Sequence, residues 1–148
     1  MNLKDCHNYN DFRKLAKKKL PSPIFHYIDG GSDDEVTLNR NTSSFNDYDL
    51  VPSVLNDVSN IDMSTTVLGK KIDFPLFPSA TAMHRLYHHE GERASAKAVE
   101  KMGTIFGSST MSTVSIEEIA KINKGPKLFQ LYIHKDRGLT DNLLERCR

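Results

Sequence analysis

The second half of the chain alternates short apolar runs with helical patterns, and this alternation constrains the fold more than any other feature. The runs PLFPSA, TIFGSS and KLFQLY occupy residues 75–80, 104–109 and 127–132. Amphipathic helices are predicted at residues 90–102, from residue 115 and from residue 139. Strands that alternate with helices at this spacing form a parallel sheet with right-handed crossovers. The sequence therefore predicts an α/β fold, as a small three-layer sandwich or as the front part of a larger barrel.

The first half is predicted to be mainly helical. Helices are predicted at residues 8–19, at residues 24–28 and within residues 32–45. Asn10 is the predicted N-cap of the first helix. The acids that open the third segment are expected in its first turn, where the helix dipole favours negative charge. The following residues, 47–57, are predicted to be loop or a short strand.

A hairpin is predicted where Gly69 and Lys70 separate two β-prone arms. The pattern of strands and helices begins directly after it. We therefore predict a helical N-terminal region with a hairpin at residues 1–73, followed by three βα units at residues 74–148.

Composition and charge exclude several functions. The net charge of +1 gives no general attraction for nucleic acid. No apolar run reaches the roughly 20 residues of a membrane span, so we predict a cytoplasmic protein. The basic run at residues 13–19 is expected to be a solvated helix face, with contact to the inner membrane surface as the alternative. The 6 histidines show no HExxH arrangement, and the 2 cysteines show no metal-ligand spacing, so no metal site is predicted.

The carboxyl ends of the predicted strands carry small or polar uncharged residues. They are residues 79–82, residues 108–110, Gln130 and Tyr132. Chemistry in α/β proteins lies at these ends, and hydroxyl and amide groups suit a flat heteroaromatic ring. Serine and threonine after a strand are also ordinary helix caps, so each end taken alone has a structural explanation. In the third strand Phe129, Leu131 and Ile133 alternate with the polar pair, which predicts one apolar face packed against helices.

Four segments occur in an order that resembles a known family: FHYIDGGSDDEVTLNRN, SATAM, HHEGE and FQLYIHKDR. Together they resemble the FMN-dependent α-hydroxy-acid dehydrogenases and oxidases, which include glycolate oxidase, lactate oxidase, bacterial L-lactate dehydrogenases and yeast flavocytochrome. The family fold is a TIM barrel with FMN at its C-terminal mouth, preceded by a helical region and a hairpin that closes the barrel bottom. The resemblance implies that this chain supplies the helical region, the hairpin and barrel strands one to three.

The resemblance also implies roles for individual residues. The residues implied to contact FMN are Ala80, Thr81, Ala82, Ser109 and Gln130. Many members have proline where this chain has Ala80, so the rigidity of that contact is expected to differ. Tyr132 matches the active-site tyrosine that contacts the substrate and stabilises charge at its 2-oxygen, and Tyr27 matches a tyrosine that binds the substrate carboxylate. Met111 lies at a position that shapes the pocket, and methionine there favours L-lactate over glycolate.

The catalytic base, the carboxylate-binding arginine and a lysine near the flavin follow later in the family pattern and have no match here. We therefore expect an N-terminal fragment that is inactive alone and belongs to an enzyme that oxidises an L-2-hydroxy acid to the 2-keto acid. Oxygen, a quinone or a cytochrome would accept the electrons, and the full-length family members suggest a homotetramer. The alternatives are a non-catalytic structural or interaction fragment, and a barrel aldolase or isomerase without flavin.

Overall fold

A computed structural model describes residues 2–148. They divide into two compact units, of which the first ends at Val58 and the second is Ser59–Arg148. The first unit contains helices α1 (Tyr9–Lys19), α2 (Ser22–Asp29) and α3 (Val36–Ser43), with short 3₁₀ helices at Leu3–Asp5 and Ser44–Asp47. Residues 48–58 contain neither helix nor strand, so the loop is formed and the alternative of a short strand is not.

In the first unit, a bidentate ion pair joins α1 to α2. Arg13 Nε and Nη2 lie 2.5 Å and 2.8 Å from the two carboxylate oxygens of Asp29. Leu15 of α1 and Phe25 of α2 are buried. The three helices occur where the sequence predicts them because breakers separate them: Pro21 precedes α2, and Gly30 is its C-cap.

Two details of these helices differ from the prediction. Asn8, and not Asn10, caps α1, since its side chain accepts a hydrogen bond of 3.1 Å from the Asp11 N–H. Helix α3 begins only at Val36, so the preceding acids lie outside its first turn. Glu35 has a φ of 57°, which a helical residue cannot adopt, and its carboxylate accepts a hydrogen bond from Gly31 N at 3.0 Å.

The second unit begins with the predicted hairpin, formed by β1 (Thr65–Val67) and β2 (Lys70–Ile72), which pair antiparallel. Leu68 and Gly69 form the turn with φ values of 50° and 74°, as a two-residue primed turn requires. The turn therefore lies one residue earlier than Gly69–Lys70. The division between the units precedes the hairpin, whereas the predicted domain boundary at residue 73 follows it.

Strands and helices then alternate: α4 (Glu92–Lys101), β3 (Phe106–Ser109), α5 (Ile116–Ile122), β4 (Lys127–Gln130) and α6 (Arg137–Arg146). Strands β3 and β4 pair in parallel, in a register that opposes Phe106 to Lys127 and Ser109 to Gln130. This parallel pair with its helical crossover confirms the α/β class. The core lies between α4, β3 and α5, and consists of Ala96, Val99, Phe106, Val114 and Ile119.

The strand predicted at residues 75–80 is not formed. Its two prolines lack the N–H donors that a ladder needs. The segment nevertheless passes close to β3, because a Cβ at Gly107 would lie 2.7 Å from Ala80 N and 3.1 Å from Pro78 O. Thr104 Oγ1 also donates a hydrogen bond of 2.8 Å to Leu76 O. The segment therefore follows β3 through close packing and a side-chain bond, without strand pairing.

The third predicted strand is shorter than expected, since β4 ends at Gln130. Leu131 and Tyr132 follow the strand, and Ile133 is 67% exposed. The predicted apolar face of Phe129, Leu131 and Ile133 packed against helices is therefore wrong at its C-terminal end.

Two bidentate ion pairs connect the helices of the second unit. Arg93 of α4 binds Glu118 of α5, with Nε 2.5 Å from Oε1. Arg146 of α6 binds Glu117 of α5, with Nε 2.7 Å from Oε1. The hydrogen bond from Arg146 lowers the pKa of Glu117 to about 2. Within residues 2–148, no helix combines the length and the apolar character that crossing a membrane would require.

Candidate active site

Ser109 and Gln130 end the two paired strands and lie opposite each other in the register. Ser109 Oγ donates a hydrogen bond of 2.9 Å to Gln130 Oε1 and accepts one of 3.1 Å from Met111 N. The oxygen of the Gln130 amide is therefore engaged. Its nitrogen has no hydrogen-bond partner among residues 2–148, so both N–H groups remain available to an acceptor.

Thr110 fixes the position of Tyr132 through the backbone. Thr110 N and Oγ1 both donate to Gln130 O, at 2.9 Å and 2.7 Å. Tyr132 N in turn donates to Thr110 Oγ1 at 3.0 Å. Tyr132 lies beyond the end of β4, yet these bonds attach it to the end of β3. Its side chain is 54% exposed, and its hydroxyl makes no hydrogen bond within the described chain.

The segment that contains Ala80, Thr81 and Ala82 lies at the same edge. Met83 N donates a hydrogen bond of 3.0 Å to Met111 O, which attaches this segment to the loop after β3. The Met111 side chain is half exposed. The predicted residues of all three strand ends are thus brought together, although the first end belongs to no strand. Those residues are Ala80, Thr81, Ala82, Ser109, Met111, Gln130 and Tyr132.

Tyr27 is the one predicted site residue in the first unit. It lies in α2, and its side chain is 59% exposed. Its role toward a substrate stays a prediction.

Glu92, which sequence reasoning did not select, is buried beside this edge with 1% exposure. Its Oε1 accepts hydrogen bonds from Thr113 N at 2.8 Å and from His84 N at 3.3 Å, and its Oε2 accepts one from Thr113 Oγ1 at 2.5 Å. Burial alone would raise the pKa of the Glu92 carboxyl, but the hydrogen bonds from Thr113 and His84 outweigh it and lower the pKa. The signal in the sequence was HHEGE, where a glycine and an acid stand directly at a helix start.

This lowered pKa predicts a pH dependence of stability. A carboxyl with a lower pKa in the folded state adds stability above its unfolded pKa of about 4.3, and loses it as the pH falls through the folded value. Carboxyl groups titrate roughly between pH 5 and pH 2. Because glutamine does not titrate, we expect the midpoint of thermal unfolding to fall less over this range in Glu92→Gln than in the unchanged protein. Calorimetry across that range measures the difference. Parallel curves for the two proteins would contradict it.

Charged groups are missing from the strand ends themselves. Residues 79–82 and 108–110, Gln130 and Tyr132 include no lysine, arginine or histidine. No cluster of histidine, cysteine, aspartate or glutamate within the described residues could hold a metal ion. The edge therefore offers hydroxyls, backbone groups and one amide to a neutral, hydrogen-bonding ligand.

A family model for FMN-dependent dehydrogenases matches residues 16–148. The chain belongs to this family. The predicted resemblance is thereby confirmed, with FMN as the family's cofactor. The match supports the flavin interpretation over a barrel aldolase or isomerase.

Relatives of this chain include spinach (Spinacia oleracea) glycolate oxidase, which is 42% identical over 140 residues, 95% of this chain and 38% of the relative. The L-lactate dehydrogenase of Vibrio parahaemolyticus is 44% identical over 93% of this chain and 36% of the relative. Among solved structures, the flavin-binding domain of baker's yeast flavocytochrome b2 superposes with a TM-score of 0.88 at 32% identity, over 99% of this chain and 39% of that one. The chain therefore spans roughly two fifths of the length of these relatives.

The residues at this edge of the chain fit the ring of the family's cofactor. The amide nitrogen of Gln130 can donate to a ring carbonyl, and its orientation is fixed because Ser109 holds the amide oxygen at 2.9 Å. Ala80 and Ala82 are small enough for a ring to approach their backbone. The same residues offer no cation to the phosphate of FMN, so the fit concerns the ring.

Proposed function

We propose that this chain forms the N-terminal part of an enzyme that uses FMN to oxidise an L-2-hydroxy acid to the 2-keto acid. In this proposal its second unit supplies the first part of a TIM barrel, with β3 and β4 as barrel strands and residues 75–80 packed beside β3, and the hairpin closes the barrel bottom. The family match and the relatives named for glycolate and L-lactate support the reaction class. The superposition on the yeast flavin-binding domain supports the architecture.

The observation that carries the proposal is the fixed amide of Gln130. Ser109 holds its oxygen, so its nitrogen is oriented to donate to a flat acceptor at the strand ends. Backbone and hydroxyl groups of residues 80–82 complete the proposed ring contact. The two donors of that amide are left without partners in the described chain, so they are accessible to a bound acceptor.

When bound, FMN supplies the redox chemistry by accepting two electrons from the substrate. Tyr132 is proposed to donate a hydrogen bond from its hydroxyl to the substrate 2-oxygen, because Thr110 fixes its backbone and its hydroxyl is otherwise unengaged. Tyr27 is proposed to bind the substrate carboxylate. The reaction also needs a base and a cation, and the strand ends contain neither. We therefore propose that other parts of the enzyme supply both, and that these 148 residues alone do not turn over substrate.

Met111 leads us to propose L-lactate as the substrate. Its half-exposed side chain borders the strand ends, and an unbranched, flexible thioether can close a pocket around a small methyl group. From the family resemblance we propose that electrons pass to oxygen, a quinone or a cytochrome. We also propose a homotetrameric assembly and a cytoplasmic location with peripheral membrane contact.

Gln130→Glu tests the proposed ring contact in the complete flavoprotein. The carboxylate still accepts the hydrogen bond from Ser109, but it replaces the donor with an acceptor and adds a negative charge. We expect FMN binding to weaken by about tenfold to a hundredfold, because a hydrogen bond is replaced by repulsion. Quenching of FMN fluorescence during titration of the apoprotein measures the dissociation constant.

Asn142→Asp is the matched control, since it makes the same change from amide to acid on the exposed surface of α6. Its dissociation constant should equal that of the unchanged protein. Equal affinity in Gln130→Glu would contradict the proposed contact. An unchanged protein that binds no FMN would favour a non-catalytic fragment.

A further inference from the structure

Glu92 connects the two loops that carry the proposed FMN contacts. It is the first residue of α4, and its carboxylate reaches both the segment after Ala82 and the loop after β3. We infer that Glu92 is a positioning residue that holds these two loops in the arrangement that FMN requires. The inference rests on the proposed function for its ligand, but the connection between the loops is a property of the chain itself.

The geometry gives each carboxylate oxygen a separate task. Oε1 accepts from the backbone N–H of Thr113 at 2.8 Å and of His84 at 3.3 Å, one from each loop. Oε2 accepts from Thr113 Oγ1 at 2.5 Å. Close to this bridge, Met83 N donates directly to Met111 O at 3.0 Å. The residues next to the proposed flavin contacts are therefore fixed to each other at two points.

A carboxylate is the group that suits this position. Both of its oxygens accept hydrogen bonds, so it can bind all three donors. An amide in its place would direct an N–H group at one of them. Hydrogen bonds to a charged acceptor are shorter and stronger than bonds between neutral groups. No lysine or arginine in the described chain forms an ion pair with Glu92, so the donors of the two loops, together with the start of α4, are what stabilise its charge.

Gly91 permits the same close approach. It has a φ of 57°, and a Cβ there would lie 2.5 Å from Arg85 Cγ and 3.3 Å from Thr113 Oγ1. The glycine and the acid of HHEGE thus act together: Gly91 leaves room mainly for Arg85 and also for Thr113, and Glu92 binds both segments. The Glu92 carboxylate donates nothing to the cofactor and accepts hydrogen bonds from His84 and Thr113, so its effect on FMN is expected to pass through the two loops.

The test compares amide hydrogen exchange and FMN affinity in the complete protein for four variants. Glu92→Gln places N–H donors against the donors of the loops. Thr113→Val removes one donor, and Thr113→Ser keeps it as the conservative rescue. Glu90→Gln is the matched control, because Glu90 lies on the same segment and its carboxylate contacts Lys97 instead of either loop.

In Glu92→Gln we expect exchange at the amides of residues 83–84 and 111–113 to accelerate about tenfold or more, and FMN to bind about tenfold more weakly, while exchange in α5 and α6 stays unchanged. Thr113→Val should show the same pattern more weakly. Thr113→Ser and Glu90→Gln should match the unchanged protein. If Glu92→Gln fails to fold, the comparison of Thr113→Val with Thr113→Ser tests the inference in its place.

Two results would overturn the inference. In the first, Glu92→Gln and Thr113→Val have the same amide exchange rates and the same FMN affinity as the unchanged protein. The other is faster exchange spread evenly over β3, α5 and α6, which would make Glu92 a general stabiliser of the fold. Failure of the unchanged protein to bind FMN would refute the proposed function instead, and the exchange data would still report whether Glu92 holds the loops.

Discussion

Replacing Gly107 by alanine is expected to destabilise the protein by about 3 kcal/mol and to abolish tight FMN binding. Gly107 lies in the buried strand β3, and the added Cβ would be 2.7 Å from Ala80 N and 3.1 Å from both Ala80 Cα and Pro78 O. All three atoms belong to the backbone, so no side-chain rotation can relieve the contact. Insertion of one carbon into a packed core typically costs 1–3 kcal/mol, and a rigid neighbour places the cost at the upper end of that range.

The displaced segment is the one proposed to contact the flavin, so stability and affinity should fall together. Chemical denaturation of the apoprotein gives the change in the free energy of unfolding, and fluorescence titration gives the FMN dissociation constant. Gly138→Ala is the control, because the added Cβ meets only the side-chain oxygen of Asp136, at 3.2 Å. Alanine there should change stability by no more than about 1 kcal/mol. A stable Gly107→Ala protein that retains FMN would show that the segment at Ala80 can move away freely.

The sequence predicted those parts of the fold that depend on local signals. Helix α5 begins where expected because Ser115 accepts a hydrogen bond from Glu118 N at 3.2 Å, within one turn of chain. Helix α4 ends before Gly103, whose φ of 62° suits glycine. The strand predicted at residues 75–80 failed because its apolar run suggested pairing, while its two prolines and its packing against Gly107 determine the actual path.

In the candidate site, too, the residues marked by local signals could be predicted, and those placed by distant contacts could not. Ser109 and Gln130 could be selected from the sequence because each stands at the end of a predicted strand, and the parallel register then places them together. Glu92 could not be selected in this way, because its partners His84 and Thr113 lie 8 and 21 residues away. Only the packing of two loops against the start of α4 turns a surface-type residue into a buried acceptor.

Tyr132→Phe is expected to reduce turnover of the proposed substrate, L-lactate, by roughly a hundredfold while leaving FMN binding intact. The magnitude is that of removing one hydrogen-bond donor from a developing charge. Tyr132 is held by its backbone N–H, which donates to Thr110 Oγ1 at 3.0 Å, so phenylalanine should occupy the same place. The loss should appear in both kcat and kcat/KM, because a bond that strengthens in the transition state affects both.

Steady-state kinetics of the complete enzyme, with L-lactate as substrate, measures this effect, and the FMN dissociation constant is determined in parallel. Tyr9→Phe serves as the control, because Tyr9 lies at the start of α1 with a side chain that is 69% exposed. A rise in KM at constant kcat would mean that the Tyr132 hydroxyl binds substrate equally in the ground and transition states. Loss of FMN would instead assign that hydroxyl to the cofactor. Either result would remove Tyr132 from its proposed role, because that role requires a hydroxyl that acts on the substrate oxygen as charge develops there.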